Sequence, residues 1–120
     1  MSKAAISLTT GLEDAEKVTV AFLVAVGAAE GGRDTLIFLT KEAVRLAVAG
    51  FARGVACEGC PPLDTLMSRY AAAGGTFIAC GICVNAKGLD PSSFVENATK
   101  GGSVQLWEWI GDEGATTFSY

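Results

Sequence analysis

The chain has no histidine among its 120 residues. This absence excludes Ser–His and Cys–His nucleophile pairs, and it excludes histidine as a metal ligand. The chain also lacks a G-x-G-x-x-G motif after its first predicted strand, and it lacks a Walker-type phosphate loop. Nucleotide sites built on either of these glycine-rich loops are therefore not expected.

Charged residues are scarce as well. They make up 18% of the chain, whereas 50% of the residues are hydrophobic; an ordinary soluble domain is ~25% charged. The net charge of −4 argues against nucleic acid and anionic membranes as partners. We expect the apolar excess to be taken up by an interface between subunits or by an unusually well buried sheet.

Long apolar runs are absent too. The longest lies between Val18 and Ala29, contains Thr19 and Gly27, and falls short of the ~18 residues that a membrane span needs. The first residues lead directly into a strand pattern, so we expect no signal peptide. The sequence predicts a cytoplasmic protein, in which cysteines are more often catalytic or metal-binding than joined in disulfides.

Hydrophobic runs and glycine pairs divide the chain into alternating strands and helices. Strands are predicted over residues 4–8, 35–39, 76–80 and 115–120, and helices over about 13–30, 40–48, 62–73, 91–99 and 104–110, with one more after residue 81,. Residues 104–110 also half-fit a strand, but a helix keeps the alternation. The pattern predicts one domain over residues 1–120, a three-layer α/β/α sandwich with a mainly parallel sheet of about five strands.

The segment around Cys80 and Cys83 is the candidate functional site. Cys80 is predicted at the carboxyl end of a buried strand, where α/β proteins tend to bind ligands, and Cys83 near the start of the next helix,. The positive end of a helix favours thiolate, which by itself would make Cys83 the more reactive cysteine. Lys87 follows Cys83 by about one helical turn and is either a cation for a thiolate or persulfide, or a solvated lysine.

A second C-x-x-C pair, Cys57 and Cys60, leaves two further interpretations open. Together with Cys80 and Cys83 it has the spacing of a four-cysteine zinc site,. Alternatively, Cys80 and Cys83 alone form a thioredoxin-like dithiol. Because the helix at 62–73 must run back along the sheet, we expect Cys57 and Cys60 to lie over the same sheet edge as Cys80, as a lid that resolves a persulfide or completes a metal site.

Four segments of the sequence resemble the DsrE/DsrF-like family, small α/β proteins of sulfur transfer that also appear under loose labels such as peroxiredoxin. They are residues 7–11 (SLTTG), 36–40 (LIFLT), 61–63 (PPL) and 80–89 (CGICVNAKGL). In sulfur-carrier members a single cysteine stands eight residues ahead of a glycine that follows a basic residue, and Cys80 with Lys87 and Gly88 matches this spacing. The pair Cys57 and Cys60 is not part of the pattern.

The resemblance implies a cysteine-based persulfide carrier or sulfurtransferase. Cys80 would receive sulfane sulfur from a donor protein and pass it to an acceptor protein, and Cys83 would be an extra thiol that resolves or assists. It further implies a homo-oligomer, a trimer or hexamer, and no cofactor. The alternatives are a zinc-binding module that uses all four cysteines and a thiol–disulfide reductase that uses Cys80 and Cys83.

Overall fold

The structure, a computed structural model that describes residues 1–120, alternates strands and helices along the chain. The elements are β1 (Lys3–Leu8), α1 (Ala15–Glu30), β2 (Thr35–Leu39), α2 (Leu63–Ala72), β3 (Thr76–Cys80), α3 (Gly81–Ala86), β4 (Ala98–Gly101), α4 (Ser103–Ile110) and β5 (Ala115–Ser119). Short 3-10 helices cover Leu12–Asp14, Lys41–Ala47 and Pro91–Ser93. The predicted α/β fold is confirmed.

All five strands are parallel and lie in the order β4-β3-β2-β1-β5. The chain steps from β1 to β4 in one direction and then returns to the far side of β1. Because crossovers between parallel strands are right-handed, the first three helices lie on one face of the sheet and α4 lies on the other. The carboxyl end of β3 therefore opens at an edge where the segments leading into α3 and α4 meet.

The face that carries α1 and α2 holds the main core. Phe22 of α1, Tyr70 of α2 and Phe77 of β3 are fully buried and pack with ring centroids 5.2–6.1 Å apart, an arrangement that aromatic rings favour. Alternate residues of β1 and β2 point into the same cluster: Ile6, Leu8, Ile37 and Leu39. This core fixes β3, and with it the position of Cys80.

The opposite face is covered by α4 alone. Leu36 and Ile78 lie under this helix, and the side chain of Trp109 lines a cavity with them. Val104 and Trp107 point away from the sheet and are 63% and 68% exposed. The apolar excess seen in the sequence is thus partly unburied in the single chain.

The predicted helix over residues 91–99 is wrong. Pro91–Ser93 forms one turn of 3-10 helix, which Asp90 caps by accepting a hydrogen bond from the Ser92 N–H at 2.9 Å. The chain then turns extended at Phe94, which bridges to Val48, and continues into β4. Long-range backbone pairing outweighs the local proline signal here, and it supplies the fifth strand.

The predicted helix over residues 40–48 is present as the 3-10 helix Lys41–Ala47. Thr40 forms no side-chain cap, and Lys41 begins the segment with a φ of 54°. A left-handed residue at this point does not continue a regular α-helix. None of the helices has both the length and the apolar character that a membrane crossing requires.

Candidate functional site

Cys80 lies where the sequence placed it, as the last residue of β3. Its strand partner is Gly101, the last residue of β4. Cys80 is also the N-cap of α3, since the helix begins at Gly81. The side chain is partly buried, so the sulfur combines contact with the core and access to solvent.

The pKa of the Cys80 thiol is held below its ordinary value. Partial burial opposes ionisation, but the backbone N–H and thiol of Cys83 and the backbone N–H of Ile82 outweigh it,. Cys80 forms no conventional capping hydrogen bond, so we take these N–H groups to act as dipoles directed towards the sulfur. Because Cys80 itself occupies the N-cap, the helix terminus that the sequence placed beside Cys83 lies beside Cys80 as well.

The Cys80 sulfur opens into a cavity of about 660 Å³ on the α4 side of the sheet. Strand ends and the turns that follow them form its walls, which consist of Phe38, Thr40, Cys80, Gly81, Ile82, Asn85, Lys100, Gly101, Gly102, Ser103 and Gln105. Lys100 is the only charged residue among these, in a chain whose net charge is −4. The cavity therefore favours an anion.

Lys100 is held in place beside the cysteine. Its Nζ donates a hydrogen bond to Oδ1 of Asn85 at 2.7 Å, which ties β4 to α3. Sequence analysis missed this lysine, because it assigned residues 91–99 to a helix and did not foresee that β4 lies next to β3. The signal available was the short run Ala98–Gly101 with Thr99 in it, which is compatible with an edge strand,.

Cys83 is the third residue of α3 and contacts a different element. The backbone N–H of Lys41 donates to the Cys83 sulfur, with a nitrogen–sulfur distance of 3.2 Å. Lys41 is the one residue other than glycine that has a positive φ. A lysine in this conformation costs roughly 1–2 kcal/mol, so the surrounding packing holds the N–H against Cys83 at the expense of local strain.

Lys87 does not line the cavity at Cys80. Its Nζ forms an ion pair with Oε1 of Glu42 at 3.0 Å, and Oε2 of Glu42 accepts from Arg45 at 2.8 Å. Hydrogen bonds from Arg45 and then from Lys87 lower the pKa of the Glu42 carboxyl. The ion pair joins the end of α3 to the 3-10 helix that begins at Lys41.

Cys57 and Cys60 are joined in a disulfide, with a Cα–Cα distance of 5.1 Å. This corrects the expectation that the cysteines are not paired. Neither residue lines the cavity at Cys80, and no hydrogen bond connects the two pairs. No group of three or more cysteine and carboxylate side chains converges as metal ligands would, so a four-cysteine zinc site is not assembled.

The structure thus defines a small α/β protein with an all-parallel five-stranded sheet and a free, partly buried cysteine at the carboxyl end of β3. The model of the DsrE/DsrF-like family matches residues 2–118. The chain therefore belongs to the DsrE/DsrF-like family, a family of sulfur-relay proteins.

Solved structures share the fold over the full chain. The ychN protein from E. coli matches with a TM-score of 0.78 at 17% identity and 100% coverage of both chains. The protein MTH1491 from Methanobacterium thermoautotrophicum matches with a TM-score of 0.70 at 12% identity and 100% coverage of both chains. BT1422 from Bacteroides thetaiotaomicron has a TM-score of 0.66 at 20% identity, over 99% of this chain and 95% of its own. A search of curated proteins gave no match.

Proposed function

We propose that this protein is a cysteine-based persulfide carrier or sulfurtransferase that passes sulfane sulfur through Cys80. The observation that carries the proposal is the position of the Cys80 sulfur: it has a lowered pKa and opens into a cavity in which Lys100 is the only charged residue. A thiolate is the form of cysteine that attacks sulfur. A persulfide formed on it is an anion, which the ammonium of Lys100 stabilises.

The transfer needs no external oxidant or reductant. The Cys80 thiolate attacks the outer sulfur of a donor persulfide, the sulfur–sulfur bond of the donor breaks, and the donor thiolate leaves with the electron pair. An acceptor thiolate then attacks the outer sulfur on Cys80 and restores the Cys80 thiolate. Donor and acceptor are proteins in this proposal, and the 81% exposed side chain of Ile82 at the mouth of the cavity supports protein docking there,.

The two lysines have different parts in this mechanism. Lys100 provides the charge at the cavity, which the sequence had assigned to Lys87. Lys87 acts through its ion pair with Glu42, because this contact holds α3, which carries Cys83, against the segment that begins at Lys41. We propose Lys87 as a positioning residue and Cys83 as an assisting thiol. We further propose that this chemistry takes place in the cytoplasm; Cys80 and Cys83 are free thiols in the structure.

Mass mapping of a sulfur adduct tests the proposal. The reduced Cys83→Ser protein is incubated with polysulfide, excess reagent is removed, and peptides are analysed for the added mass of one sulfur atom. We expect the adduct on Cys80 and its loss when Cys80→Ser is added, while adding the matched change Cys60→Ser retains it. An adduct confined to Cys57 or Cys60 would overturn the assignment.

We also propose that the protein forms a homo-oligomer, a trimer or hexamer. Support comes from the apolar side chains of Val104 and Trp107, which α4 leaves in solvent, since exposed apolar clusters of this kind mark protein interfaces. Light scattering measures the mass in solution, and Trp107→Glu should reduce it. A monomer at micromolar concentration would contradict the proposal.

A thiol–disulfide reductase is the second candidate, and the position of Cys83 one turn from Cys80 favours it. A single variant, Cys83→Ser, distinguishes the two functions. Reductase activity requires both cysteines, so Cys83→Ser should abolish reduction of a disulfide substrate. Persulfide transfer requires Cys80 alone and should survive the same change.

A further inference from the structure

The contact between Lys41 and Cys83 has no role in simple sulfur relay. A carrier needs one cysteine, yet the structure holds a second sulfur against a backbone donor at 3.2 Å, from a residue in a strained conformation. Strain of this kind persists only where the surrounding structure enforces it, and it occurs often at functional sites. The N–H of Lys41 fixes the position of the Cys83 sulfur relative to the start of α3.

Cys83 also lies within reach of Cys80. The two residues are the N-cap and the third residue of α3, so their Cα atoms are separated by one helical turn, roughly 5 Å. This separation is within the range of about 4.4–6.8 Å found in disulfides. The same chain closes a disulfide at the same C-x-x-C spacing between Cys57 and Cys60, with a Cα–Cα distance of 5.1 Å.

We propose that Cys83 is a resolving thiol, which discharges a persulfide on Cys80 as free sulfide and forms a Cys80–Cys83 disulfide. The inference rests on the proposed function, because it begins from persulfidated Cys80. It adds an outlet that relay to an acceptor protein does not provide. Cys80, from which the sulfide would leave, lines the cavity and is only partly buried, so the released sulfide has a path to solvent.

The reaction balances within the protein. The Cys83 thiolate attacks the Cys80 sulfur, a bond forms between these two sulfurs, and the bond from Cys80 to the outer sulfur breaks. The outer sulfur leaves with the electron pair as hydrosulfide. The two cysteines are oxidised by two electrons and the sulfane sulfur is reduced by two; a small dithiol or a thioredoxin-class protein dithiol then reduces the disulfide to complete a cycle.

The Lys87–Glu42 ion pair also helps to hold Cys83 in this position. It spans α3 and the 3-10 helix at the same junction as the Lys41–Cys83 contact, with a distance of 3.0 Å. Both contacts hold Cys83 in place relative to the Lys41 backbone. A cysteine that merely packed against the core would need neither.

The test uses the full chain with Cys57→Ser and Cys60→Ser, so that only one cysteine pair remains. The reduced protein is loaded with polysulfide, desalted, and followed by sulfide trapping with monobromobimane and by intact mass. We expect sulfide release matched by the loss of one sulfur and two hydrogens from the loaded protein, which leaves a Cys80–Cys83 disulfide two hydrogens lighter than the reduced, unloaded protein. Adding Cys83→Ser should leave the persulfide on Cys80 and slow release at least about tenfold, because the attack is no longer intramolecular.

The outcomes separate the two proposals. If Cys80 carries a persulfide in the Cys83→Ser protein, and the protein with Cys83 retains its persulfide just as long, the resolving role is overturned and the carrier function stands. If Cys80 takes up no sulfur in either protein, both are overturned. Release that depends on Cys83 supports both.

Two substitutions at Lys41 test the backbone donor. Lys41→Gly readily adopts a φ of 54°, whereas the β-branched side chain in Lys41→Val disfavours it,. With each rate divided by the persulfide loading of that variant, release should be about fivefold faster in Lys41→Gly than in Lys41→Val, as the loss of one hydrogen bond implies. Equal rates in two folded variants would remove Lys41 from the mechanism.

Discussion

The hydroxyl of Tyr70 offers a sharp test of how the core holds the sheet. Tyr70 is fully buried, and its hydroxyl is 2.7 Å from the carbonyl oxygen of Thr76 and 3.1 Å from that of Thr35. These carbonyls belong to the first residues of β3 and β2, so a single donor joins the two strands. In Tyr70→Phe the ring remains, and both carbonyls lose the donor.

The expected cost follows from the burial of these groups. A buried acceptor left without its donor costs about 1–3 kcal/mol, so we expect the free energy of unfolding to fall by about 2 kcal/mol. For a chain of this size, that corresponds to a decrease in melting temperature of roughly 6–12 °C. Urea unfolding measures the free energy, with an unchanged m-value if the native fold is retained.

The chain contains a matched control. Tyr120 is the only other tyrosine, and its hydroxyl forms no hydrogen bond with another side chain or with the backbone. Tyr120→Phe makes the same chemical change and should alter stability by less than about 0.5 kcal/mol. If Tyr70→Phe is as stable as Tyr120→Phe, the assignment of the hydrogen bond as a structural tie is refuted.

The pH dependence adds a second readout. Burial raises the pKa of Tyr70 above its ordinary value, although the backbone N–H groups of Thr76 and Ile37 oppose the shift,. The folded state therefore keeps the proton at a pH where the unfolded chain loses it. Stability from neutral Tyr70 is fully present below about pH 10, the pKa of an unfolded tyrosine, and is lost above it. The stability difference between the wild type and Tyr70→Phe should narrow as pH rises from 9 to about 11.

Two further predictions follow from the site and the core. The rate of Cys80 alkylation by iodoacetamide should rise with pH, with a midpoint below the pKa of about 8.5 of an ordinary cysteine. Unfolding in urea should raise that midpoint. Equal midpoints in the folded and unfolded protein would contradict the lowered pKa of Cys80. Gly75→Ala should destabilise the protein by about 1–3 kcal/mol, because an added Cβ would overlap the ring of Tyr70,. The control is Gly27→Ala: an added Cβ there meets nothing within 4 Å, and alanine has the higher helix propensity in the interior of α1,. Equal melting temperatures of the two variants would refute the predicted clash at Gly75.

The local elements of this protein follow from the sequence. Residues 35–39 and 76–80 are short apolar runs bounded by turn signals, and both are strands with those bounds. Glycine pairs follow the ends of α1 and α2. Glycine destabilises a helix interior and readily adopts the conformations that end a helix, so these pairs are reliable stop signals. Such signals depend only on neighbouring residues, which is why the position of Cys80 at a strand end could be predicted.

Tertiary contacts decided what surrounds Cys80. β4 exists because Ala98–Gly101 pairs with β3, and this pairing brings Lys100 to the cavity in place of Lys87. No local pattern specifies that register.

The same limit applies to Cys83 and to the second cysteine pair. The donor to the Cys83 sulfur is Lys41, 42 residues away in the chain, and its strained backbone is enforced by packing rather than by propensity. Spacing could not separate metal ligation from a disulfide for Cys57 and Cys60, because a C-x-x-C pair brings its two sulfurs close together in either case. The fold closed the disulfide, and neither cysteine lines the cavity at Cys80. The sequence by itself determined which secondary-structure element carries each thiol. Only the three-dimensional packing determined which groups contact it, because those groups come from segments that are distant in the chain.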